Sequence, residues 1–242
     1  MAKPRVYVTR IIPEQGLKIV REHCDMRIWE GDMPPPREII LKEITGCDGI
    51  LSMLTDRMDG PVMDVAPRLR VISNCAVGYD NIDVPAATAR KIVVGHTPGV
   101  LTETVADFAF ALLLAAARRV VEGDKYTRAR KWKTWEPMGL LGQDVHRATL
   151  GLVGLGRIGA AVAKRAQGFE MKVLYHDVVR REDLERSMGI QFTTLDTLLR
   201  ESDFVSIHVP LLPETHHLIG AKELDKMKLS AVLVNTARGP IV

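Results

Sequence analysis

Three glycines in Gly154-Leu155-Gly156-Arg157-Ile158-Gly159 stand at a spacing suited to one chemistry, the seating of a phosphate against bare backbone. Gly154 permits a tight turn, Gly156 leaves the backbone open to a pyrophosphate, and Gly159 lets a helix settle close on the preceding strand. The apolar run Thr149–Val153 before them and the Ala-rich stretch after them supply that strand and that helix. The helix start presents unpaired N–H groups and the positive end of its dipole to the phosphates. The next apolar run, Lys172–His176, leads into Asp177, roughly 20 residues beyond the glycines, where a carboxylate accepts hydrogen bonds from ribose hydroxyls. A glycine turn without a ligand is the competing reading, and it leaves the order of strand, helix and Asp177 unexplained. A carboxylate at position 177 repels a 2′-phosphate and favours NAD. Arg180 and Arg181 follow closely and keep NADP open, unless they belong to a solvated loop.

Arg238 is a second such residue, directly after the apolar run Val232-Leu233-Val234, in Asn235-Thr236-Ala237-Arg238-Gly239. In open α/β sheets ligands gather beyond the carboxyl ends of strands. A guanidinium there pairs with a carboxylate and polarises an adjacent carbonyl. By position alone, a surface arginine at a strand end is an equally good reading. The third segment, Asn74-Cys75-Ala76-Val77-Gly78-Tyr79-Asp80-Asn81-Ile82-Asp83, also follows an apolar run, Val71–Ser73. Gly78 lets backbone N–H groups face a small anion, although a simple turn opening the next helix accounts for the same residues. Cys24, Cys47 and Cys75 have no metal-ligand spacing, so no metal is expected. Their sparse, odd number fits free thiols in a reducing compartment.

The elements that must position these residues read as alternating βα units. Val6–Val8, Ile50–Met53, Val71–Ser73 and Ile92–Val94 read as buried parallel strands, with helices at 16–21, 37–42 and 61–66 between them. A boundary falls near His96-Thr97-Pro98-Gly99. A long helix follows, capped by Thr102 or Thr104, with Thr104 and Asp107 at capping-box spacing. It is apolar on most sides through Ala117 and so needs cover on most sides. A second series begins at Ala148, with strands at 149–153, 172–176, near 191, 203–209 and 231–235, and helices at 160–169, 195–201 and 221–228. The fold class expected is α/β, two doubly wound parallel-sheet domains.

Residues 118–147 gather Arg118, Arg119, Lys125, Arg128, Arg130, Lys131 and Lys133 with Trp132 and Trp135. Glu122, Asp124, Glu136 and Asp144 interrupt the run, and the whole chain carries a net charge of only +3. The segment therefore reads as a connecting arm whose tryptophans pack on the body or on another subunit, not as a nucleic-acid surface. With 242 residues, 46% apolar and 26% charged, the composition is that of a globular protein of one or two domains. The amino terminus has no apolar core like that of a signal peptide, and the longest apolar run, Phe108–Ala117, is too short to span a bilayer. A cytoplasmic protein with no membrane partner is expected.

Together the segments resemble the D-isomer-specific 2-hydroxyacid dehydrogenase family, most of all its glyoxylate and hydroxypyruvate reductases. The similarity runs from about Val6 to the last residue, through Leu51–Asp56, Asn74–Asp83, Thr97–Glu103, Leu152–Gly159, Ser202–Leu211 and Val234–Pro240, in the family's order. It implies a flavodoxin-like substrate-binding domain over residues 1–98 and a Rossmann cofactor domain over 99–242. It also implies a homodimer formed through residues 101–147, and reduction of a small 2-oxoacid, glyoxylate or hydroxypyruvate, by the reduced form of NAD, with NADP possible. In site residues, it implies that Arg238 binds the substrate carboxylate and keto oxygen and that the amides of Val77 and Gly78 hold the carboxylate, with Leu54 in the matching substrate-side loop. Arg157, Ile158 and Asp177 match cofactor contacts, beside the three glycines. Pro210, Thr215, Thr236 and Ala237 match positions lining the cofactor cleft. His208 does not match the catalytic histidine and reads as a packing residue. Other members suggest alternatives: a 3-phosphoglycerate dehydrogenase, or an NAD(H)-sensing binding protein like the corepressors of this fold. The family's acid–base glutamate and histidine lie downstream of the arginine motif, and the chain ends at Val242, four residues after Arg238. The expectation is therefore a truncated chain that by itself neither turns over substrate nor folds stably.

Overall fold

A computed structural model describes residues 2–242, and the chain divides into two units, one ending at Val100 and the other spanning Leu101–Val242. The first unit runs β1 (Arg5–Val8), α1 (Glu14–His23), β2 (Asp25–Ile28), α2 (Arg37–Ile44), β3 (Gly49–Ser52), α3 (Gly60–Asp64), β4 (Val71–Asn74), α4 (Val84–Ala89) and β5 (Val93–Gly95). Its five strands are all parallel in the order β2-β1-β3-β4-β5, the flavodoxin-like winding. Tyr7 and Ile50 on the strands meet Ile40 and Ile44 of α2 and Val62 and Met63 of α3 in one buried core. Asp59 and Asp83 start α3 and α4 by accepting from Val62 N and Ala86 N, each with a proline in the first turn.

The second unit begins with α5 (Thr102–Ala117) and α6 (Val120–Arg128). A sheet then follows: β6 (Thr149–Val153), α7 (Arg157–Gln167), β7 (Lys172–His176), α8 (Glu182–Met188), β8 (Gln191–Phe192), α9 (Leu195–Glu201), β9 (Phe204–Ile207), α10 (Ala221–Leu224) and β10 (Val232–Asn235). The strand order β10-β9-β6-β7-β8, all parallel, is the Rossmann winding with its switch point beside β6. Helix α7 turns Ala161, Val162, Ala163 and Ala166 inward, and α5 packs on it through Ala106, Ala109, Phe110 and Leu113. These short side chains let the two helices and β6 lie close together, and the Phe110 ring stacks on Phe169 at 5.6 Å.

Several details differ from the sequence reading. Strand β2 has no counterpart in it, because Asp25-Met26-Arg27-Ile28 is an edge strand with only alternate residues half-buried. Helix α8 buries no residue and so has no apolar signal. Helix α5 starts at Thr102 without a side-chain cap; Asp107 pairs with Arg165 of α7 instead of closing a capping box on Thr104. Trp132 and Trp135 do not pack into the body but stay 65% and 77% exposed, lining a cavity of about 530 Å³ with Tyr126, Thr127 and Leu140. On α5, Phe108 and Leu112 are likewise exposed, so within this chain the helix is covered on one face only. Among the described residues no helix is long and apolar enough to cross a membrane.

Candidate functional site

In the second unit, β6 delivers the chain into Gly154 at φ +96°, a conformation that side chains rarely adopt. A Cβ there would sit 2.9 Å from the His208 backbone and from Val209, so the turn is pressed against the end of β9. At Gly159 a Cβ would run into the Gly154 carbonyl oxygen, and α7 could not seat where it does. Gly156 behaves differently. No protein atom lies within 4 Å of where its Cβ would point, so packing does not require a glycine there. The open space lies at the start of α7, whose N-cap is Gly156 itself and whose first turn has no side-chain cap. Uncapped N–H groups beside open space fit a pyrophosphate.

Asp177, just after β7, aims one carboxylate oxygen back at this turn: Oδ2 accepts from Leu155 N–H at 2.6 Å, and Oδ1 accepts more weakly from Val179 N–H at 3.3 Å. The contact orients the carboxylate and leaves acceptor capacity for ribose hydroxyls. Arg180 and Arg181 do not stand free beside it. Arg180 makes two hydrogen bonds of 2.9 Å to Glu185, whose carboxyl that guanidinium and the Tyr175 hydroxyl hold down at about 2. Arg181 grips Asp183 in the same way and also lowers it to about 2. A 2′-phosphate would compete with both pairs for these arginines.

The other residues expected from the sequence to line a cofactor lie after β9, after β10 and at the start of α7. Thr215 Oγ1 donates to Pro210 O at 2.6 Å and accepts from Leu212 N–H at 2.8 Å, so this hydroxyl shapes the Pro210–Thr215 turn. Thr236 Oγ1 is buried with no hydrogen-bond partner among the described residues, a polar atom still to be satisfied beside the site. Arg157 is exposed at the start of α7, and Ile158 packs against the core. Ala237 N–H donates to Asn235 Oδ1 at 3.0 Å, while Asn235 Nδ2 donates to the Arg238 carbonyl at 2.8 Å. Asn235, which sequence reasoning did not single out, thus closes the turn that presents Arg238. His208 lies 2.9 Å from Ser206 Oγ through Nε2, and burial pushes its imidazole down to about 4, so it is neutral near pH 7. A neutral ring adds no charge beside the Gly154 turn.

In the first unit, Leu54 and the Val77–Gly78 pair sit in the loops after the adjacent strands β3 and β4, at the carboxyl edge of the sheet. The Ala76 carbonyl accepts from Thr97 N–H at 2.8 Å. The Val77 carbonyl accepts from His96 Nδ1 at 2.8 Å, and the Gly78 carbonyl from Asn74 Nδ2 at 3.0 Å. The N–H groups of Val77 and Gly78 have no acceptor among the described residues. Three consecutive acceptors are taken up by the protein while neighbouring donors are left open, which is how a backbone loop is prepared for an anion.

A family described as "D-isomer specific 2-hydroxyacid dehydrogenase, NAD binding domain" matches residues 110–242. A protein of Korarchaeum cryptofilum (strain OPF8) named glyoxylate reductase is 57% identical over 241 residues, 99% of this chain and 73% of its own length. A glyoxylate reductase of Thermofilum pendens (strain DSM 2475 / Hrk 5) is 55% identical, over 100% of this chain and 72% of its own length. Among solved structures, the TT0316 protein of Thermus thermophilus superposes with a TM-score of 0.92 at 48% identity, covering 98% of this chain and 75% of that one.

The three glycines give distinct expectations. Gly156→Ala should leave thermal unfolding unchanged within about 0.5 kcal/mol and weaken NADH binding, because its methyl enters only the open space. Gly159→Ala should destabilise the fold by about 1–3 kcal/mol, because its methyl meets backbone. Urea unfolding and NADH fluorescence titration separate the two, and a Gly156→Ala protein with unaltered NADH affinity would rule out the phosphate seat. His208 predicts a pH effect. Its folded value near 4 lies below the ordinary 6.5, so the unfolded chain binds the extra proton between them. Stability from the neutral ring is complete above about 6.5 and is lost as pH falls toward 4, by at most about 1.4 kcal/mol per pH unit. His208→Asn should remove that part of the slope in urea midpoints measured between pH 7 and pH 5.

Proposed function

The chain belongs to the D-isomer-specific 2-hydroxyacid dehydrogenases, and from that membership we propose that it is a glyoxylate reductase, converting glyoxylate to glycolate with NAD(P)H. The bound dinucleotide supplies the hydride that reduces the carbonyl carbon. The chain's own residues hold the two reactants. The α7 amides and Gly156 seat the pyrophosphate, and Asp177 takes the ribose hydroxyls. This favours NAD and leaves NADP possible, since Arg180 and Arg181 are already paired. Arg238 pairs with the substrate carboxylate and draws electron density from the keto oxygen. The Val77 and Gly78 amides hold the carboxylate, with Leu54 on the substrate side. By the same resemblance, the proton for the new hydroxyl comes from a histidine paired with a glutamate downstream of Arg238.

The observation that carries this reading is the loop at 76–78, with its carbonyls bound and its amides open. A small monocarboxylate needs N–H donors of this kind. The names of the relatives support catalysis on glyoxylate over a sensing role or a phosphorylated substrate.

We further propose a cytoplasmic homodimer formed through residues 101–147. Phe108 of α5, Val120 and Val121 of α6, and Trp132 and Trp135 are all exposed in the single chain, apolar side chains that a second copy would cover. The free cysteines suit a reducing compartment.

Two measurements test these readings. The full-length protein should oxidise NADH with glyoxylate, and Arg238→Ala should lower kcat/KM by about thirtyfold to several thousandfold, the range of a lost buried charge contact, with NADH affinity retained. Unchanged turnover in that variant would remove Arg238 from the site. In light scattering after size exclusion the protein should have twice the subunit mass, and Phe108→Glu should shift it to the monomer. A monomeric wild type would overturn the dimer.

A further inference from the structure

We propose that Asn81 is a positioning residue for substrate capture, fixing the distance between the two substrate-side loops through a polar relay built on Asn74. The inference rests on the glyoxylate reductase reading above. The relay starts beneath the loops. Ser52 at the end of β3 donates through Oγ to Asn74 Oδ1 at 3.0 Å, and Asn74 at the end of β4 is buried. The Asn74 amide then divides its two hydrogens. One goes to the Gly78 carbonyl at 3.0 Å, and the other to Asn81 Oδ1 at 3.1 Å. Asn81 Nδ2 donates across to the other loop, to Met53 O at 3.0 Å and Asp56 O at 2.8 Å, bracketing Leu54. The Asn81 backbone carbonyl also accepts from Met58 N–H at 2.9 Å.

The far end is anchored as firmly. The buried Asp56 carboxylate accepts from Thr9 Oγ1 at 2.5 Å and from Met53 N–H at 2.7 Å, tying the 53–56 turn to the end of β1. Every oxygen and hydrogen of the two asparagine amides has a partner, so each side chain has one orientation that satisfies it. Removing Asn81 leaves the Asp56 carbonyl and the second Asn74 hydrogen without partners among the described residues, and leaves the Met53 carbonyl only the Asp56 N–H at 3.0 Å. The Leu54 turn and the Val77–Gly78 amides then lose their common reference. Neither asparagine needs to touch the substrate for this to matter. The amides bind a carboxylate alike in the ground state and the transition state, so their misplacement raises KM more than it lowers kcat.

Three variants separate positioning from general damage. Asn81→Ala removes the bridge. Asn81→Ser keeps a shorter donor and covers the case in which the alanine protein does not fold. Ser202→Ala removes a buried hydroxyl that donates to Leu198 O at 2.6 Å in the second unit. The KM for glyoxylate should rise about tenfold or more in Asn81→Ala and less in Asn81→Ser, while kcat and the NADH dissociation constant stay within about threefold. Ser202→Ala should lower the unfolding temperature without moving KM. Hydrogen exchange read by mass spectrometry, which needs no substrate, should show faster exchange over 53–56 and 75–81 in the Asn81 variants only. An Asn81→Ala protein with unchanged KM and unchanged loop exchange overturns the relay. So does one that loses kcat and NADH affinity together with unchanged KM. If the wild type reduces no small 2-oxoacid, the substrate reading falls, and loop exchange still decides whether Asn81 ties the loops together.

Discussion

Helix α7 rests directly on the carbonyl of Gly154, and most of the second unit follows from that contact. Only a hydrogen atom fits between Gly159 and the Gly154 oxygen, so the helix approaches the turn as closely as backbone allows. With α7 held there, its alanines reach β6, α5 can lie across α7 on small residues of its own, and Phe110 finds Phe169. The same approach sets the first turn of α7 where its uncapped amides face open space beside Gly156. Packing and ligand chemistry therefore share one constraint. Two glycines serve the protein's own backbone, and the third faces open space.

A second theme is the sorting of backbone acceptors from backbone donors at strand ends. At Ala76–Gly78 the carbonyls are consumed by Thr97, His96 and Asn74, and the open amides are what remains. Asn235 does a related job after β10, where it holds the carbonyl of Arg238. In each case an asparagine or histidine from a strand end or nearby loop turns an ordinary turn into one with a preferred electrostatic face. The charged residues beside Asp177 are sorted too, with Arg180 and Arg181 neutralised by Glu185 and Asp183 of the helix that follows.

The α/β class was legible because buried parallel strands announce themselves as short apolar runs. Thr149–Val153 and Lys172–His176 begin and end where sequence placed them. Strand β2 and helix α8 escaped notice because neither buries a continuous apolar face, and pairing or capping alone leaves no periodic signal. The glycine spacing pointed to a tight strand–helix turn, but it did not distinguish Gly156, which faces space, from Gly159, which faces backbone. That difference exists only once the chain has folded. The asparagines were the least visible. Asn74 and Asn81 read as turn residues and Asn235 as the last residue of a strand, and their partners lie across a sheet edge or beyond a turn. The orphaned hydroxyl of Thr236 likewise has meaning only against its surroundings.

The bound carbonyls at 76–78 bear on how small a ligand the loop can hold. A two-carbon acid has a handful of heavy atoms, and the best ligands gain at most about 1.5 kcal/mol from each. Ordering a mobile backbone costs about 1–2 kcal/mol per residue, so a loop that had to freeze around such a ligand would cancel much of its affinity. Here that entropy is already lost when the chain folds, because Thr97, His96 and Asn74 immobilise the loop before any ligand arrives. A loop held in this way also cannot widen. On the function proposed above, the bonds that would let it capture a weakly binding acid thereby set an upper limit on the size of the acid the loop would accept.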